Sequence, residues 1–594
     1  MMWSAYLRIA VVIAVLFTDA VARATALEVS IRPVFDGEPL RLDSLRYTNA
    51  AGETLSVSRL SYLLSGFALE RETGGWVEIP DQYAWMDAAQ QRTVVHFDGL
   101  PAGKYRALRF DVGLDPAANA ASPSKYPPDH PLNANLDGLS WSWQGGYIFL
   151  ALEGHYRVGA GDLKGFAYHL ARDPNRTRIN LTAQIDLSHD SAVLLDFDLG
   201  AMLNAPRPLS FQRDGTATHS RPGDAVAAAL VANLPGAFHV VQVLATAPAI
   251  SLPSPVKPLY LPENYTPYPF TISASFPIPD LPRDNPLIQE RVALGEKLFH
   301  ETALSRDGTI SCSSCHQPAS DFTDPRRFST GVRGQIGARH AMPLFNLAWK
   351  TSYFWDGRAP SLRAQALIPI QDHTEMDETL DRVTAKLAAL PTYPPLFSAA
   401  FGSPQITPEK LGLALEQYLL TLTSFDAKFD RAMRGQATLT PDERRGFELF
   451  MTEYEPRTGQ YGADCFHCHG GPLFTDHQFH NNGLDPNDSD PGRYRVTHLE
   501  ADRNKFATPS LRNVARTGPY MHDGRFTTLE QVVAHYNSGV HRSDTLDPNL
   551  AKHPLAGLQL SPEDQRALVA FLNTLTDERF AVVPAIHFGG FQTR

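Results

Sequence analysis

All four cysteines of this 594-residue chain fall in two copies of one pattern, Cys312-Ser-Ser-Cys315-His316 and Cys465-Phe-His-Cys468-His469. Two thiols at this spacing, followed at once by an imidazole, mark covalent c-type haem attachment. The thiols form thioethers with the haem vinyl groups, and the histidine becomes the proximal iron ligand. Other uses of paired cysteines fit less well. A structural zinc site needs four Cys/His ligands, which two CxxC pairs supply, but it has no need of a histidine after both. A disulfide framework belongs to short, cysteine-dense secreted chains. A thioredoxin-like CxxC occurs once, early in a βαβ pattern. Two haem c groups are therefore expected, one held by Cys312, Cys315 and His316 and the other by Cys465, Cys468 and His469.

The elements that must carry these motifs differ along the chain. Its length suggests three or four domains. A hydrophobic content of 43% and a charged content of 20% describe ordinary globular material. The formal net charge of −11 argues against nucleic acid or an anionic membrane as a partner. Residues 1–26 read as a secretory signal peptide: Arg8, the apolar run Ile9 to Phe17, then a cleavage site at Ala22-Arg23-Ala24 or Ala24-Thr25-Ala26. The run is too short to span a bilayer, and no other stretch approaches that length. Export agrees with haem c, which is assembled outside the cytoplasm, and a periplasmic location follows.

Residues 27–250 lack cysteine and alternate apolar with polar positions, as in Tyr105-Arg-Ala-Leu-Arg-Phe-Asp-Val112 and Arg178-Ile-Asn-Leu-Thr-Ala-Gln-Ile185. Many short strands of this kind predict an all-β sandwich. Residues 251–283 are proline-rich and predict an extended connector. Beyond it the texture is mostly α-helical. Helix starts are marked by a capping residue before proline, at Thr407-Pro408, Thr440-Pro441 and Ser561-Pro562. With one CxxCH in each segment, two cytochrome c lobes are expected, 284–435 and 436–594, without a close internal repeat.

The helical half resembles the bacterial dihaem cytochrome c peroxidase and MauG superfamily. The resemblance is carried by Leu294-Gly-Glu-Lys-Leu-Phe299, Phe354-Trp-Asp-Gly-Arg358, Gln365-Ala366, Glu375-Met376, Pro509-Ser-Leu-Arg-Asn-Val514 and Pro519-Tyr-Met-His-Asp-Gly524. It implies a peroxidatic haem on His316, with Glu375 and Gln365 lining its open face. A positioned carboxyl can take a proton from one peroxide oxygen and deliver it to the other. It implies that Trp355 lies between the haems as an oxidisable relay. It also implies a calcium ion between the lobes, on Asn346 and the backbone carbonyls of Thr517 and Pro519, a set of oxygen ligands that suits calcium.

Two departures define a subclass within that resemblance. Fourteen residues after His522, where cytochrome c peroxidases place a methionine ligand for the second haem, stands Tyr536, as in MauG-like enzymes. Leu529, Val532, Val533 and Tyr536 share a face of the helix expected there. A tyrosinate stabilises the higher iron oxidation states and lowers the potential relative to a thioether. Met521 and His535 are the rival ligands to His469's iron. Where peroxidases that need reductive activation carry a loop histidine, this chain has Val332, with His340 the nearest histidine after it. An open first haem is expected.

The β half resembles MbnP, a family of periplasmic copper-binding proteins that partner the MauG-like enzyme MbnH. The residues are Leu60-Ser-Tyr-Leu-Leu64, Leu100-Pro-Ala-Gly-Lys-Tyr105, Trp141-Ser-Trp-Gln-Gly-Gly-Tyr147 and Phe166-Ala-Tyr-His169. In that system a tryptophan becomes kynurenine and contributes to a copper site. The resemblance points to Trp141 or Trp143 as the oxidised residue and to His169 as a copper ligand, with His96, His130, His155, His189 and His239 as further candidates.

The reading is a periplasmic, hydrogen peroxide-dependent dihaem oxidoreductase that oxidises a tryptophan of its own β domain. The alternatives are a dihaem cytochrome c peroxidase fed by a small periplasmic electron-transfer protein, and a copper-binding, electron-transfer protein without turnover.

Overall fold

The computed structural model describes residues 25–141, 146–245, 257–456, 459–486, 489–554 and 557–580. Most of the expected signal peptide (residues 1–24) and Trp143 lie outside these. No helix among the described residues is long and apolar enough to cross a membrane.

The strands that build the β half are β1 (Thr25–Phe35), β2 (Thr54–Arg71), β3 (Val94–Leu100), β4 (Lys104–Val112), β5 (Ile148–Arg157), β6 (Lys164–Ala171), β7 (Thr177–Asp186), β8 (Ser191–Asp198), β9 (Ala217–Thr218) and β10 (Phe238–Leu244). One sheet runs β10–β8–β1–β3, with β1 and β8 parallel. The other runs β7–β4–β2–β5–β6–β9. Their facing sides bury one core that includes Leu27, Ile31, Val193 and Phe197 from the first and Leu108, Phe110, Leu152 and Tyr168 from the second. Strand β7 shows the pattern of a sheet with one wet face, buried residues alternating with exposed ones up to a half-buried Asp186 at its end.

Strands β5 and β6 break that pattern, being buried almost throughout. Leu150, Leu152, Phe166 and Tyr168 face the sandwich core. The alternate residues Glu153, His155, Gly165 and His169 must point the other way, because side chains on a strand alternate. That outer face is covered by the second haem lobe. His155 Nε2 lies 2.7 Å from the carbonyl of Leu546. A Cβ on Gly165 would stand 1.8 Å from the carbonyl oxygen of Pro548, so only glycine permits this approach.

The helices of the haem half are α1 (Gln289–Phe299), α2 (Leu362–Gln371), α3 (Leu380–Ala389), α4 (Tyr393–Phe401), α5 (Pro408–Thr421), α6 (Pro441–Phe450), α7 (Leu529–Ala534) and α8 (Pro562–Asn573). Thr407, Thr440 and Ser561 each cap a helix that begins with proline. In the first lobe α1 crosses α5, and in the second α6 crosses α8. Both crossings occur at a glycine: a Cβ on Gly295 would meet the Ala414 carbonyl at 2.1 Å, and one on Gly446 the Ala567 carbonyl at 1.9 Å. The surrounding residues repeat as Gly-x-x-Leu-Phe, at Gly295–Phe299 and Gly446–Phe450. The lobes thus share a helix crossing that this short repeat marks in the sequence, beside the repeated CxxCH.

The proline-rich segment is a strap laid along the first lobe. Phe276 is fully buried against Trp349, whose indole N–H donates to Pro277 O at 2.8 Å. Arg291 donates to the carbonyls of Leu259 and Tyr260. The strap is tied to the β half as well, through Asn133 Nδ2 to Ile278 O at 3.0 Å.

Candidate active site and metal centre

Each CxxCH forms a single tight turn, Cys312–Cys315 and Cys465–His467, with all four thiols free and part-buried. The histidines are oriented in the same way. His316 Nδ1 lies 3.1 Å from Phe322 O, and His469 Nδ1 lies 3.2 Å from Phe474 O. A backbone acceptor on Nδ1 fixes the tautomer and leaves the Nε2 lone pair for a metal. Burial pushes His316 down to about 4 and lowers His469 too, so both rings stay neutral, the form that ligates iron. Both sites fit haem c.

Motif residues hold the second site together. Arg512, fully buried, makes a bidentate pair with Asp430 and donates to Pro472 O. Ser510 Oγ donates to Leu473 O at 2.5 Å. The signature Pro509–Val514 therefore anchors the stretch that ends in Phe474, the residue orienting His469.

On the first site, Glu375 closes the turn after α2 through its N–H to Asp372 O at 3.0 Å. Burial, reinforced by Asp372 and opposed by Arg358, pushes its carboxyl up to about 7. Its charge in turn helps raise Cys312 and Cys315, so the carboxyl lies close to the haem-attachment thiols. Gln365 lies half-buried on α2, the helix leading into that turn. Val332 is buried and its N–H donates to Glu375 O at 2.8 Å, which pins the loop carrying it to the same turn. His340 is held elsewhere: Nε2 lies 3.2 Å from Thr323 Oγ1 and Nδ1 3.3 Å from Arg327 O. Thr323 follows Phe322, so His340 belongs to the segment that supports His316.

Trp355 is buried at the seam between the lobes. Its indole N–H donates to His340 O at 2.9 Å, and its own carbonyl accepts from Ala507 N–H at 2.8 Å. His340 N–H donates to His522 O at 2.8 Å, and the His522 ring stacks on Phe506 at 3.7 Å.

The helix expected to carry Tyr536 is corrected by the structure. It is α-helical only as far as Ala534, and His535–Gly539 form a π turn. Such wider turns are rare and cluster at functional sites. Leu529 and Val533 are buried, whereas Val532 and Tyr536 are half-buried. Burial pushes the Tyr536 hydroxyl up to about 12, with Cys468 and Cys465 adding to the shift, so the ring stands near the second haem's thiols. Asn482 Nδ2 lies 3.5 Å from both Tyr536 Oη and Met521 Sδ. His535 is committed to Asn482 O at 3.1 Å. Asn346, expected at a calcium ion, spans Ser424, accepting from its N–H at 2.9 Å and donating to its carbonyl at 3.0 Å.

A second cluster lies where β5 and β6 meet the Cys465–His469 turn. Trp141 stacks on His219 with centroids 5.2 Å apart, lies 6.2 Å from His169, and meets Phe466 at 6.3 Å. His169 and His467 rings are 5.2 Å apart, as are His219 and Phe466, while His219 and His467 are 5.0 Å apart. Burial lowers His169 and, with His467 and His169 nearby, holds His219 well below its usual value. Burial and Lys552 push His467 down, but Glu453 and Asp464 outweigh them and carry it up to about 9. Lys552 pairs with both carboxylates, and His553 Nε2 lies 2.7 Å from Asp464.

Of the sequence candidates for copper, only His169 is in this cluster. His96 faces Glu28 at 3.7 Å, His130 stacks on Tyr126, His155 holds Leu546, His189 meets Asp186 O, and His239 is exposed. His219 and His467 were not singled out. The parallel bridge of β6 with β9, Ala167 to Ala217 and Tyr168 to Thr218, puts His219 beside His169. Nothing local in the sequence announces that register. For His467 the only local trace is a histidine inside a CxxCH whose counterpart has serines there, and the CxxCH pattern assigns that position no role.

The family model for di-haem cytochrome c peroxidase matches residues 289–438, and that for MbnP matches residues 24–220. The methylamine utilization protein MauG of Methylorubrum extorquens is 40% identical over 304 residues, covering 51% of this chain and 82% of that protein. Cytochrome c551 peroxidase of Nitrosomonas europaea is 32% identical over 317 residues, covering 52% and 86%. A solved MauG-like protein associated with microbial copper homeostasis aligns at a TM-score of 0.49 and 32% identity, covering 54% of this chain and 98% of that one.

Proposed function

The chain belongs to the MauG and dihaem cytochrome c peroxidase family, with an MbnP-type domain ahead of the haem half, and from that premise we propose that it oxidises its own Trp141 to kynurenine with peroxide and so completes a copper site. The protein works in the periplasm on this reading. The observation that carries it is the position of Trp141, stacked on His219, beside His169 and against Phe466, which adjoins the haem-attachment residue Cys465.

When bound, the two haems supply the redox chemistry, accepting oxidising equivalents from hydrogen peroxide and drawing electrons from the protein. The residues do the rest. Glu375, poised near neutrality, accepts a proton from one peroxide oxygen and returns it to the other. Gln365, on the helix that leads to Glu375, would orient the incoming peroxide by a hydrogen bond. Trp355, between the lobes, relays electrons. Tyr536, whose raised value means that it ionises only against a strong Lewis acid, would with His469 hold the second haem, to which it would supply an anionic ligand. Two equivalents of peroxide balance the change in Trp141: the C2–C3 bond of the indole breaks, two oxygen atoms are added and two waters leave. Hydrolysis then releases formate and leaves kynurenine. His169 and His219 would hold copper beside the modified ring. Asn346 Oδ1, which accepts one hydrogen bond from Ser424 N–H, and the carbonyls of Thr517 and Pro519 would be the residues to hold a calcium ion.

The test is mass mapping of the Trp141 peptide after peroxide is added to the haem-loaded protein. Oxygen addition at Trp141, followed by loss of the formyl carbon, is expected. An unmodified Trp141 in protein that has consumed peroxide with both haems intact overturns the proposal.

A further inference from the structure

The histidine cluster draws on two domains. His169 and His219 belong to the β half, whereas His467 lies between the attachment cysteines of the second haem lobe. Each ring sets one nitrogen against a carboxylate. His169 Nε2 is 2.9 Å from Glu153 Oε1, His219 Nδ1 is 2.5 Å from Glu453 Oε2, and His467 Nε2 is 3.2 Å from that same Glu453 oxygen. Carboxylates in this position fix ring orientation and leave the other nitrogen to a metal. His169 Nδ1 lies 3.1 Å from His219 Nε2, and both His219 Nδ1, for all its closeness to Glu453, and His467 Nδ1 are buried with no hydrogen-bond partner. One nitrogen from each residue lies within 4.8 Å of the other two.

A buried polar nitrogen without a partner is costly unless something fills the gap it faces. The nearby carboxylates are already engaged, Glu453 and Asp464 by Lys552 and Asp464 also by His553. Three imidazoles without a thiolate or a free carboxylate suit copper better than a hard cation.

We propose that the copper site is shared between the domains, with His467 of the haem-attachment turn as the third imidazole ligand beside His169 and His219. This rests on the copper reading above. Assembly of the site then requires the docked interface, and the metal is wired to the second haem through the five-residue turn Cys465–His469.

The experiment is anaerobic titration of the full-length dihaem protein with Cu(I) against a competing chelator, with X-ray absorption to count imidazole ligands. One equivalent bound by three imidazoles is expected. His467→Gln should keep both haems, show two imidazoles and bind more than about 100-fold more weakly, since even supporting residues around a metal are worth 10- to 100-fold. A wild-type site with two imidazoles, or unchanged affinity in the variant, overturns the shared site and leaves the copper reading standing. Failure of the wild-type protein to bind Cu(I) overturns both. If the variant loses a haem, the wild-type protein decides. Its low-spin haem EPR signal should shift on Cu(I) loading, and an unmoved signal overturns the proposal.

Discussion

The two haem lobes are built alike and finished differently. Each crosses two helices at a glycine within Gly-x-x-Leu-Phe, and each aims its proximal histidine with a backbone carbonyl. The contrast lies on the far side of each site and in the neighbours. The first lobe offers a carboxyl held near neutrality, with the loop of Val332 pinned to the turn that carries it. The second offers a tyrosine on a π turn and is the lobe that covers strands β5 and β6. One scaffold thus yields a site suited to an incoming oxidant and a site suited to a protein partner. Identity of fold says nothing about which is which; the polar groups around each do.

That contrast can be broken from either side. The largest effect is expected from Glu375→Gln, which removes the proposed proton carrier of the first lobe alone. Its reaction with peroxide, followed by stopped-flow absorbance, should slow by about 100- to 10,000-fold with haem content unchanged. A rate within a few-fold of wild type would remove Glu375 from the mechanism.

Next in size is Gly165→Val, which touches neither haem. The added side chain collides with Pro548 O and must part the second lobe from β6. Oxidation of Trp141 should fall by at least tenfold, while peroxide consumption with a small-molecule reductant stays near wild type. Equal loss of both activities would mean that the lobes are not divided in this way.

Tyr536→Met should make the second lobe resemble an electron-accepting one. A redox titration is expected to place its potential above that of the wild type, because a thioether stabilises the reduced iron relative to a phenolate. An unchanged potential would point to Met521 as the ligand, since it shares Asn482 with Tyr536.

The smallest effect is the pH dependence of the first lobe. Glu375 must be ionised to accept a proton, and its value is raised to about 7. The peroxide rate should level off above that pH and drop tenfold per unit below it. Glu375→Gln should flatten this dependence.

How much of this was legible in the sequence varies with the range of the contacts. The haem turns, the helix starts at Thr407, Thr440 and Ser561, and the sheet alternation in β7 are local and could be read directly. His169 could be reached from a family-like segment, but its partners could not. His219 depends on a two-residue parallel bridge, and His467 occupies a position that the CxxCH pattern leaves unspecified. The docking face was partly written in β5 and β6. Buried polar residues Glu153, His155 and His169 sit in phase on strands whose other side is core, but seeing that needs the second lobe in place. The π turn at Tyr536 was hidden because an apolar period of 3.6 continues smoothly through Val533 and gives no sign that the turn widens.

The proline-rich strap has a consequence for kinetics. It is hydrogen-bonded to the β half through Asn133 and to the first haem lobe through Trp349 and Arg291. The two halves therefore meet as parts of one molecule, at a local concentration set by the strap and not by how much protein is present. For the proposed reaction between Trp141 and the haem half, this would replace a search for a partner with a first-order event.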